Sequence, residues 1–398
     1  MRVLFATSPW STHYYMTVPT AWAFRADGHQ VLVASQPSMA GLITRSGLPA
    51  VAAGPDIDLV AIRKGTLKFE RKAGEGPPAG TEADENANQV FDAWRTATTS
   101  NVDSLIELAR AWQPDLVLCD PMCPGGLVAA HTIGVPGIRH LWAPDFLGSA
   151  AGDKVLGQLP GFYEPFERRG LRIDGDPAIR TIDPNPPSME PPPSASRIHV
   201  QFIPYNGSGT LAVPLPPRDG RPRICLTWGM SVTRIVGEAA FLLPQVIRAI
   251  VDLELDIVVA VDTTQRAMLG DVPENVRVLE SAPLHMLLPS CDVIVHQGGA
   301  GSTLTAARYG VRQLAITHLP DQSNVATPMA ATGVGIHLSG ETADAPSIRT
   351  AVQNLLDDDV YRESAERLRA EILGQSTPSN VVRQLSDLTL AATDGSRS

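Results

Sequence analysis

Two residues that could do acid–base chemistry, His13 and Asp120, each follow a strand-like run in the first half of the chain. Because the carboxyl ends of parallel strands meet at one edge of a sheet, we expect the two side chains to lie close together. A histidine there can act as a general base, and a neighbouring carboxylate fixes its tautomer and raises its basicity. Two alternatives stay open: a loop histidine can be structural or solvent-exposed, and Asp120, which precedes Pro121, can be a turn acid.

A second histidine, His296, ends a strand-like run and stands before the glycine turn "GGAGS" at 298–302. A glycine turn at a helix start leaves backbone N–H groups unpaired and presents the positive end of the helix dipole, which favours a phosphate. His296 could donate a hydrogen bond to the same anion, unless the stretch is a tight strand–helix turn with a core histidine. The predicted anion-binding residues here are His296, Gly298, Gly299, Ala300, Gly301 and Ser302.

Two more turns follow strand-like runs in the same half of the chain. In "LTWGMS" (226–231) the amides of Gly229, Met230 and Ser231 are predicted to reach the same anion. In "LPDQSN" (319–324) the side chains of Asp321 and Gln322 stand at a helix start and suit adjacent hydroxyl groups. The alternative for both is helix N-capping.

The elements that must position these residues alternate between strands and helices, which predicts parallel sheets with helices on both faces. In the first half, predicted strands lie at 2–7, 30–35, 48–54, 114–120 and 134–142, and a last strand opens the run "RIHVQFIPYNG" before the linker. In the second half they lie at 224–229, 256–262, 275–281, 292–298 and 312–318. Predicted helices include one beginning near Thr17, which leaves His13 in the loop before it, and others at 86–112, 345–356, 358–374 and 377–392. The segment 64–88 is predicted to be a long loop that closes over the acceptor, and 176–196 is too rich in proline for regular structure.

The fold class predicted from this alternation is α/β, with two tandem Rossmann-like doubly wound domains facing across a cleft. The predicted domains are 1–205 and 223–376, joined by a linker at 206–222. A C-terminal helix and tail at 377–398 are expected to pack back on the first domain.

Bulk composition excludes several classes of function. The formal net charge of −10 argues against a general nucleic-acid-binding surface. The chain lacks both an apolar run of membrane-spanning length and a signal-peptide pattern, so we expect a cytoplasmic protein without a membrane partner. The cysteine pair "CDPMC" has the wrong spacing for a zinc knuckle, and "DGD" at 174–176 has no partner acids nearby, so no metal is expected.

Together these blocks resemble the GT-B-fold inverting nucleotide-sugar glycosyltransferases, and among them the bacterial antibiotic and macrolide type. The resemblance runs through "THYYMTVPTAWAFRADGHQV", "PDLVLCDPM", "IPYNG" and "LTWG", and covers nearly the whole chain. Its most specific parts are "APLHMLLPSCDVIVHQGGAGSTLTAARYGVRQL" and "LPDQSNVA". Plant members have a tryptophan near the position of Val278 here, and this departure fits a thymidine-diphosphate-sugar user.

The resemblance implies a role for each candidate residue. His13 would remove the proton of the acceptor hydroxyl, with Asp120 as its orienting partner. The turns at 229–231 and 296–302 would bind the donor diphosphate, and Asp321 and Gln322 would hold the sugar hydroxyls. The segment with Leu279, Ala282 and Pro283 would bind the nucleotide base. The aromatic candidates for an acceptor pocket are Trp10, Tyr14, Phe91 and Trp142, and for each of them alone core packing is the alternative.

The reaction so implied is transfer of a (deoxy)sugar from a nucleotide diphosphate, in particular dTDP, to a hydroxyl of a hydrophobic natural-product aglycone. The nucleotide sugar is a co-substrate, and no further cofactor or metal is expected. A nucleotide-sugar epimerase of the same architecture and a non-catalytic auxiliary homologue remain alternatives. The epimerase would need acids and bases around the sugar, and the auxiliary homologue would have lost the His13–Asp120 pair. A homodimer is left open.

Overall fold

The computed structural model describes residues 1–65, 95–145, 163–173, 175–190, 196–210, 215 and 217–395. Contacts divide them into two units. The first contains the described residues up to Pro184 together with 196–200 and 376–395. The second contains Asn185–Glu190 and the described residues of Gln201–Gln375.

The described part of the first unit is built on a seven-stranded sheet in which every pairing is parallel, in the order β3-β2-β1-β4-β5-β6-β7. The strands are β1 Arg2–Ala6, β2 Gln30–Ser35, β3 Ala50–Ala52, β4 Leu116–Cys119, β5 Gly137–His140, β6 Arg180–Asp183 and β7 Arg197–His199. Its helices are α1 Ser11–Ala26, α2 Ala40–Arg45, α3 Val102–Trp112, α4 Gly125–Ile133 and α5 Glu164–Glu167, with further helical turns at 59–65 and 95–99. Central strands such as β4 are apolar at consecutive positions because helices cover both faces of the sheet.

The second unit repeats the design with six parallel strands in the order β10-β9-β8-β11-β12-β13 within its described residues. These are β8 Arg223–Thr227, β9 Asp256–Val261, β10 Val276–Glu280, β11 Val293–His296, β12 Arg312–Thr317 and β13 Gly335–Ser339. The helices are α6 Met230–Val236, α7 Leu243–Ile250, α8 Thr263–Met268, α9 Leu284–Leu287, α10 Ala300–Tyr309, α11 Pro320–Ala331, α12 Ala345–Asp357 and α13 Asp359–Gly374. The predicted fold class of two doubly wound α/β domains is confirmed.

Helix α1 corrects the predicted start near Thr17, because it begins at Ser11 and holds His13 in its first turn. Pro19 therefore lies inside the helix, where a proline costs roughly 3 kcal/mol or more through a lost hydrogen bond and a clash. The helix tolerates it because nearly all of its central residues, including Val18 and Phe24, are buried. Burial of a large apolar side chain stabilises by about 1.5–3 kcal/mol, so a few such residues outweigh one proline.

Two strands were not predicted. Strand β6 lies inside 176–196, the segment expected to lack regular structure. Its residues "RTID" contain no proline, and the prolines at 177 and 184 flank the strand. Strand β13, "GIHLS", is short and only partly apolar, which made its pattern weak.

The C-terminal helix α14, Pro378–Gly395, belongs to the first unit and packs against α1. Its residues Val381, Val382 and Leu385 are fully buried.

In the second unit, the segment 201–210 is anchored by Asn206. Its side-chain amide donates to Thr305 Oγ1 at 3.0 Å, and its side-chain oxygen accepts from the His285 amide at 3.1 Å. Among the described residues, no helix combines the length and the apolar character needed to cross a bilayer.

Candidate active site

In each sheet the strand order reverses at one place, the topological switch point. The candidate residues follow the two strands that flank this point. In the first sheet this place lies between β1 and β4, and in the second between β8 and β11. Doubly wound sheets bind ligands outside the carboxyl ends of strands at such a switch point. His13 and Asp120 follow β1 and β4, while Gly229 and Gln297 follow β8 and β11.

In the first unit the structure brings His13 and Asp120 together. Strand register places Ala6 opposite Cys119, so the residues that follow the two strands are neighbours. His13 Nδ1 lies 3.8 Å from Asp120 Oδ1 and 3.2 Å from Ser8 Oγ. The longer distance exceeds hydrogen-bond range, so Ser8 is the direct partner of this nitrogen.

Asp120 is held as a buried carboxylate. Its Oδ2 accepts hydrogen bonds from the Ser8 amide at 2.5 Å and from Thr7 Oγ1 at 3.0 Å, and its Oδ1 accepts from the Met122 amide at 2.7 Å. Burial by itself raises the pKa of this carboxyl, but His13 and the backbone amides favour the charged form more strongly, and the net pKa is lowered. The carboxylate therefore carries its charge next to His13 at neutral pH.

Aromatic side chains surround His13. The rings of His13 and Trp142 are stacked, with centroids 3.9 Å apart and an interplanar angle of 10°. The Trp10 ring lies 6.3 Å from the His13 ring in a tilted arrangement. Neither tryptophan is fully buried.

The other two acceptor-pocket candidates are Tyr14 and Phe91. Tyr14 is a correction: its side chain is fully buried in the core and its hydroxyl bonds Ser46 Oγ at 2.5 Å. Adjacent helix positions face different sides, so Tyr14 points into the core although it adjoins His13 in the chain. Phe91 lies outside the described residues, as do residues 66–88 of the predicted closing loop.

In the second unit, the predicted anion site lies at the start of α10. Gly299 is the N-cap residue, and no side-chain cap is made at this terminus by the described residues. The first backbone N–H groups of the helix, from Ala300 onward, therefore have no intrahelical acceptor. Gly298 adopts φ +84°, and a Cβ there would lie 2.7 Å from Thr317 Cγ2, so glycine is required by both conformation and space.

Gln297 is a residue that sequence reasoning missed. A Cβ on Gly229 would lie 2.0 Å from its Nε2, and a Cβ on Gly299 would lie 2.6 Å from the same atom. The carboxamide thus lies against both glycine turns, and within the described residues its buried Oε1 has no hydrogen-bond partner. The signal that could have found it is a polar residue directly after a buried strand at the switch point.

The turn at Gly229 is fixed from a neighbouring helix. Gln265, in α8, donates from Nε2 to the Trp228 carbonyl at 2.5 Å, and the Trp228 indole donates to the Ala240 carbonyl at 2.6 Å. Both side chains are buried. Gly229, the N-cap residue of α6, is therefore held on both sides, and the predicted amides of Met230 and Ser231 belong to the first turn of that helix.

His296 corrects the prediction of a direct diphosphate ligand. The imidazole is fully buried, its Nδ1 accepts from the Gly298 amide at 3.0 Å, and its Nε2 donates to Gln313 Oε1 at 3.1 Å. Gln313 in turn donates to the Thr303 carbonyl at 3.2 Å. With both nitrogens engaged inside the protein, His296 ties the glycine turn to α10 instead of contacting a ligand.

Burial also makes His296 an acid-sensitive residue, because it lowers the pKa of the imidazole to about 4. A histidine whose pKa is lower in the folded state than in the unfolded state stabilises the fold fully above about pH 6.5 and loses this contribution as the pH falls toward 4. At pH 5 the loss is roughly 2 kcal/mol for one such group.

We expect His296→Asn, which retains an acceptor for the Gly298 amide, to reduce the drop in urea midpoint between pH 7.5 and 5. An equal drop in the parent protein and the variant would contradict this assignment.

Asp321 and Gln322 lie in the first turn of α11, and their environments differ. The Gln322 side chain is buried, and its Oε1 accepts from the amides of His318 at 2.9 Å and Leu319 at 3.2 Å. The Gln322 side chain therefore caps the backbone at the N-cap residue Leu319, the alternative stated above, and its Oε1 is not available to a sugar. Asp321 is partly exposed and stays a candidate.

The predicted base-binding segment begins in β10 and continues past its end. Leu279 and Ala282 are partly buried and pack against the apolar cluster that contains Cys225 and Leu288, while Pro283 is buried and precedes α9. Ser281 between them has φ +54°, an unusual conformation for a residue other than glycine. The segment is thus a fixed backbone turn at the end of an outer strand.

The cysteines are free thiols. Cys119, Cys123 and Cys225 are buried and Cys291 is partly exposed. Burial raises the pKa of Cys123 to about 12, so this thiol stays protonated. Within the described part of the chain, no three histidine, cysteine or acidic side chains are grouped as metal ligands would be.

Comparison with known proteins agrees with this architecture along the whole chain. Residues 22–229 match the family profile described as Erythromycin biosynthesis protein CIII-like, N-terminal domain, and residues 244–388 match the corresponding C-terminal domain. Tylactone mycaminosyltransferase of Streptomyces fradiae is 34% identical, over 99% of this chain and 94% of the relative. The 10-deoxymethynolide desosaminyltransferase of Streptomyces venezuelae is 35% identical, over 98% and 97%.

Solved structures give the same result. The glycosyltransferase VinC in complex with dTDP superposes with a TM-score of 0.79 at 28% identity, covering 98% of this chain and 100% of that one. Spinosyn rhamnosyltransferase SpnG superposes with a TM-score of 0.78 at 28% identity, covering 97% and 100%, and has been solved with thymidine diphosphate and with spinosyn aglycone. The chain belongs to the erythromycin biosynthesis protein CIII-like family and is a bacterial natural-product glycosyltransferase of GT-B fold.

Proposed function

We propose that this protein transfers a (deoxy)sugar from dTDP to a hydroxyl of a hydrophobic natural-product aglycone, with inversion at the anomeric carbon. The observation that carries the proposal is the His13–Asp120 pair at the switch point of the first sheet, with Asp120 buried and ionised. The similarity to glycosyltransferases that have been solved with thymidine diphosphate supports the choice of donor.

In the proposed reaction His13 takes the proton of the acceptor hydroxyl as the oxygen attacks the anomeric carbon. Ser8 and Asp120 face Nδ1, so the reacting nitrogen is Nε2. The carboxylate of Asp120 stabilises the imidazolium that forms, which is the role of the acid in other histidine-based pairs. A single displacement of this kind inverts the anomeric centre.

The second unit would bind the leaving diphosphate. The N–H groups at the start of α10 and those of Gly229, Met230 and Ser231 at the start of α6 would supply donors, and Gln297 Nε2 lies against both Gly229 and Gly299. Preorganised donors of this kind stabilise charge that develops on a leaving group. We propose that they meet this charge without a metal ion.

The remaining contacts follow from their places in the fold. Asp321 would accept hydrogen bonds from hydroxyls of the donor sugar, and the turn with Leu279, Ala282 and Pro283 would hold the nucleotide base. Trp10 lies close enough to His13 to contact an acceptor. Tyr14 is left out of the proposal because its hydroxyl is engaged in the core, and Gln322 would offer the sugar only its Nε2, because its Oε1 accepts from the His318 and Leu319 amides.

A transfer assay tests the proposal. The protein is incubated with a panel of dTDP- and UDP-sugars and polyketide aglycones, and products are followed by mass spectrometry. We expect a glycoside, formed in parallel with dTDP, for at least one pair. An isomerised nucleotide sugar without an acceptor would favour an epimerase instead, and no turnover with any pair would favour a non-catalytic role.

A further inference from the structure

The face of the His13 imidazole is covered by an indole. The ring centroids of His13 and Trp142 are 3.9 Å apart and the planes are within 10° of parallel. Trp142 follows β5, which pairs with β4, and β4 pairs with β1. Three neighbouring strands of the sheet thus lead to the histidine, the carboxylate and the indole.

Each contact restrains a different part of the imidazole. Ser8 and Asp120 lie at the Nδ1 edge, whereas Trp142 lies against the ring face. The edge contacts set the tautomer, and the stacked indole limits rotation of the ring out of its plane. An aromatic face also attracts a cation held against it.

We propose that Trp142 is a positioning residue for His13, which fixes the plane of the imidazole and stabilises the imidazolium formed in the transition state. This inference rests on the proposed role of His13 as the base. The proton comes from the acceptor hydroxyl and moves to Nε2, so the positive charge develops on the ring that Trp142 covers. The indole therefore interacts more strongly with the transition state than with the ground state, and its loss lowers kcat.

The sequence predicted another role for Trp142, as a wall of the acceptor pocket. The two roles differ in their kinetics. Loss of a pocket wall weakens acceptor binding and raises KM, while loss of the stacked partner of the base lowers kcat. A split between kcat and KM therefore separates them.

The test compares Trp142→Leu with Trp142→Phe, which retains an aromatic face. We expect Trp142→Leu to lower kcat about 2- to 30-fold, the range expected for a cation–aromatic contact, with the acceptor KM changed less than the kcat. Trp142→Phe should retain several times the kcat of the leucine variant.

Trp22→Leu is the matched control, because it removes an exposed tryptophan from the helix that carries His13. We expect this control to leave kcat unchanged. A rise in acceptor KM with unchanged kcat, or equal kcat for the leucine and phenylalanine variants, would overturn the proposal.

A second measurement keeps this result separate from the proposed function. The stacked indole should move the ring-proton NMR signals of His13 upfield, and Trp142→Leu should abolish that displacement while Trp22→Leu retains it. His13 signals that do not respond to Trp142→Leu would overturn the stacking even in an active enzyme. A normal displacement combined with full activity of His13→Ala would instead mean that the proposed base is wrong.

Discussion

Replacing His13 by alanine is expected to lower kcat by about 10²- to 10⁴-fold, the range that a positioned general base contributes. The loss follows from the geometry, because the imidazole is the group that Ser8, Asp120 and Trp142 together position. Binding of dTDP should be unaffected, since the proposed donor site is formed by residues of the second unit. The measurement is the initial rate of glycoside formation at saturating donor and acceptor, with dTDP affinity determined by calorimetry on the same preparation.

Asp120→Asn provides a companion to this variant. An amide keeps the shape of the side chain but removes the charge that stabilises the imidazolium, so a loss of kcat is expected for the single variant. If the two residues act as one unit, His13→Ala with Asp120→Asn should be little slower than His13→Ala alone. Independent, multiplying losses would contradict a shared role, and a fully active His13→Ala enzyme would remove the base from the mechanism.

The second large effect is expected at Gly298. Gly298→Ala forces an alanine into φ +84° and brings its Cβ to 2.7 Å from Thr317 Cγ2, so the turn must move. Displacement of the turn would break one of the proposed amide contacts to the diphosphate. A charge-assisted hydrogen bond contributes roughly 1.5–3 kcal/mol, which corresponds to a loss of about 10- to 100-fold in dTDP affinity.

Gly310→Ala is a matched control for this substitution. Gly310 is the C-cap residue of the same helix, α10, and has φ +68°. The nearest atom to a Cβ there would be Cδ of the flexible Arg369 side chain, at 3.3 Å. We expect a comparable backbone strain and a lower melting temperature for this variant, but unchanged dTDP affinity. If both variants weakened dTDP binding equally, the loss would be due to destabilisation of the fold and not to a change at the proposed anion site.

The positions of the main candidates could be predicted from the sequence because the carboxyl ends of parallel strands lie along the same edge of a doubly wound sheet. His13 and Asp120 are far apart in the chain, yet recognising the two strands was enough to place them together. The same argument located the turns at Gly229 and Gly298. The fold class followed from the alternation of apolar strands with helical segments.

The roles of individual side chains depended on tertiary contacts that no local pattern records. His296 and Gln297 are adjacent at the end of one strand, where neighbouring side chains point to opposite faces of the sheet. One of them bonds Gln313 and the Gly298 amide, and the other lies against the two glycine turns. Which residue faces the anion site therefore could not be predicted without the register and the packing of β12.

Helix α1 shows a similar limit. The rule that a proline belongs in the first turn placed the helix start near Thr17 and left His13 in a loop. Burial of the helix face overrides that rule, so His13 stands on a rigid helix. A base on a helix is positioned more accurately than one on a loop, which strengthens the proposed assignment.

The most direct test of single displacement with His13 as base is the anomeric configuration of the product. The unaltered protein is supplied with a dTDP-sugar of known configuration and an accepted aglycone, and the isolated product is examined by ¹H NMR. The proposed mechanism predicts a glycoside of opposite anomeric configuration, with one dTDP released for each glycoside formed. A glycoside that retains the donor configuration, or free sugar released without a glycoside, would contradict it.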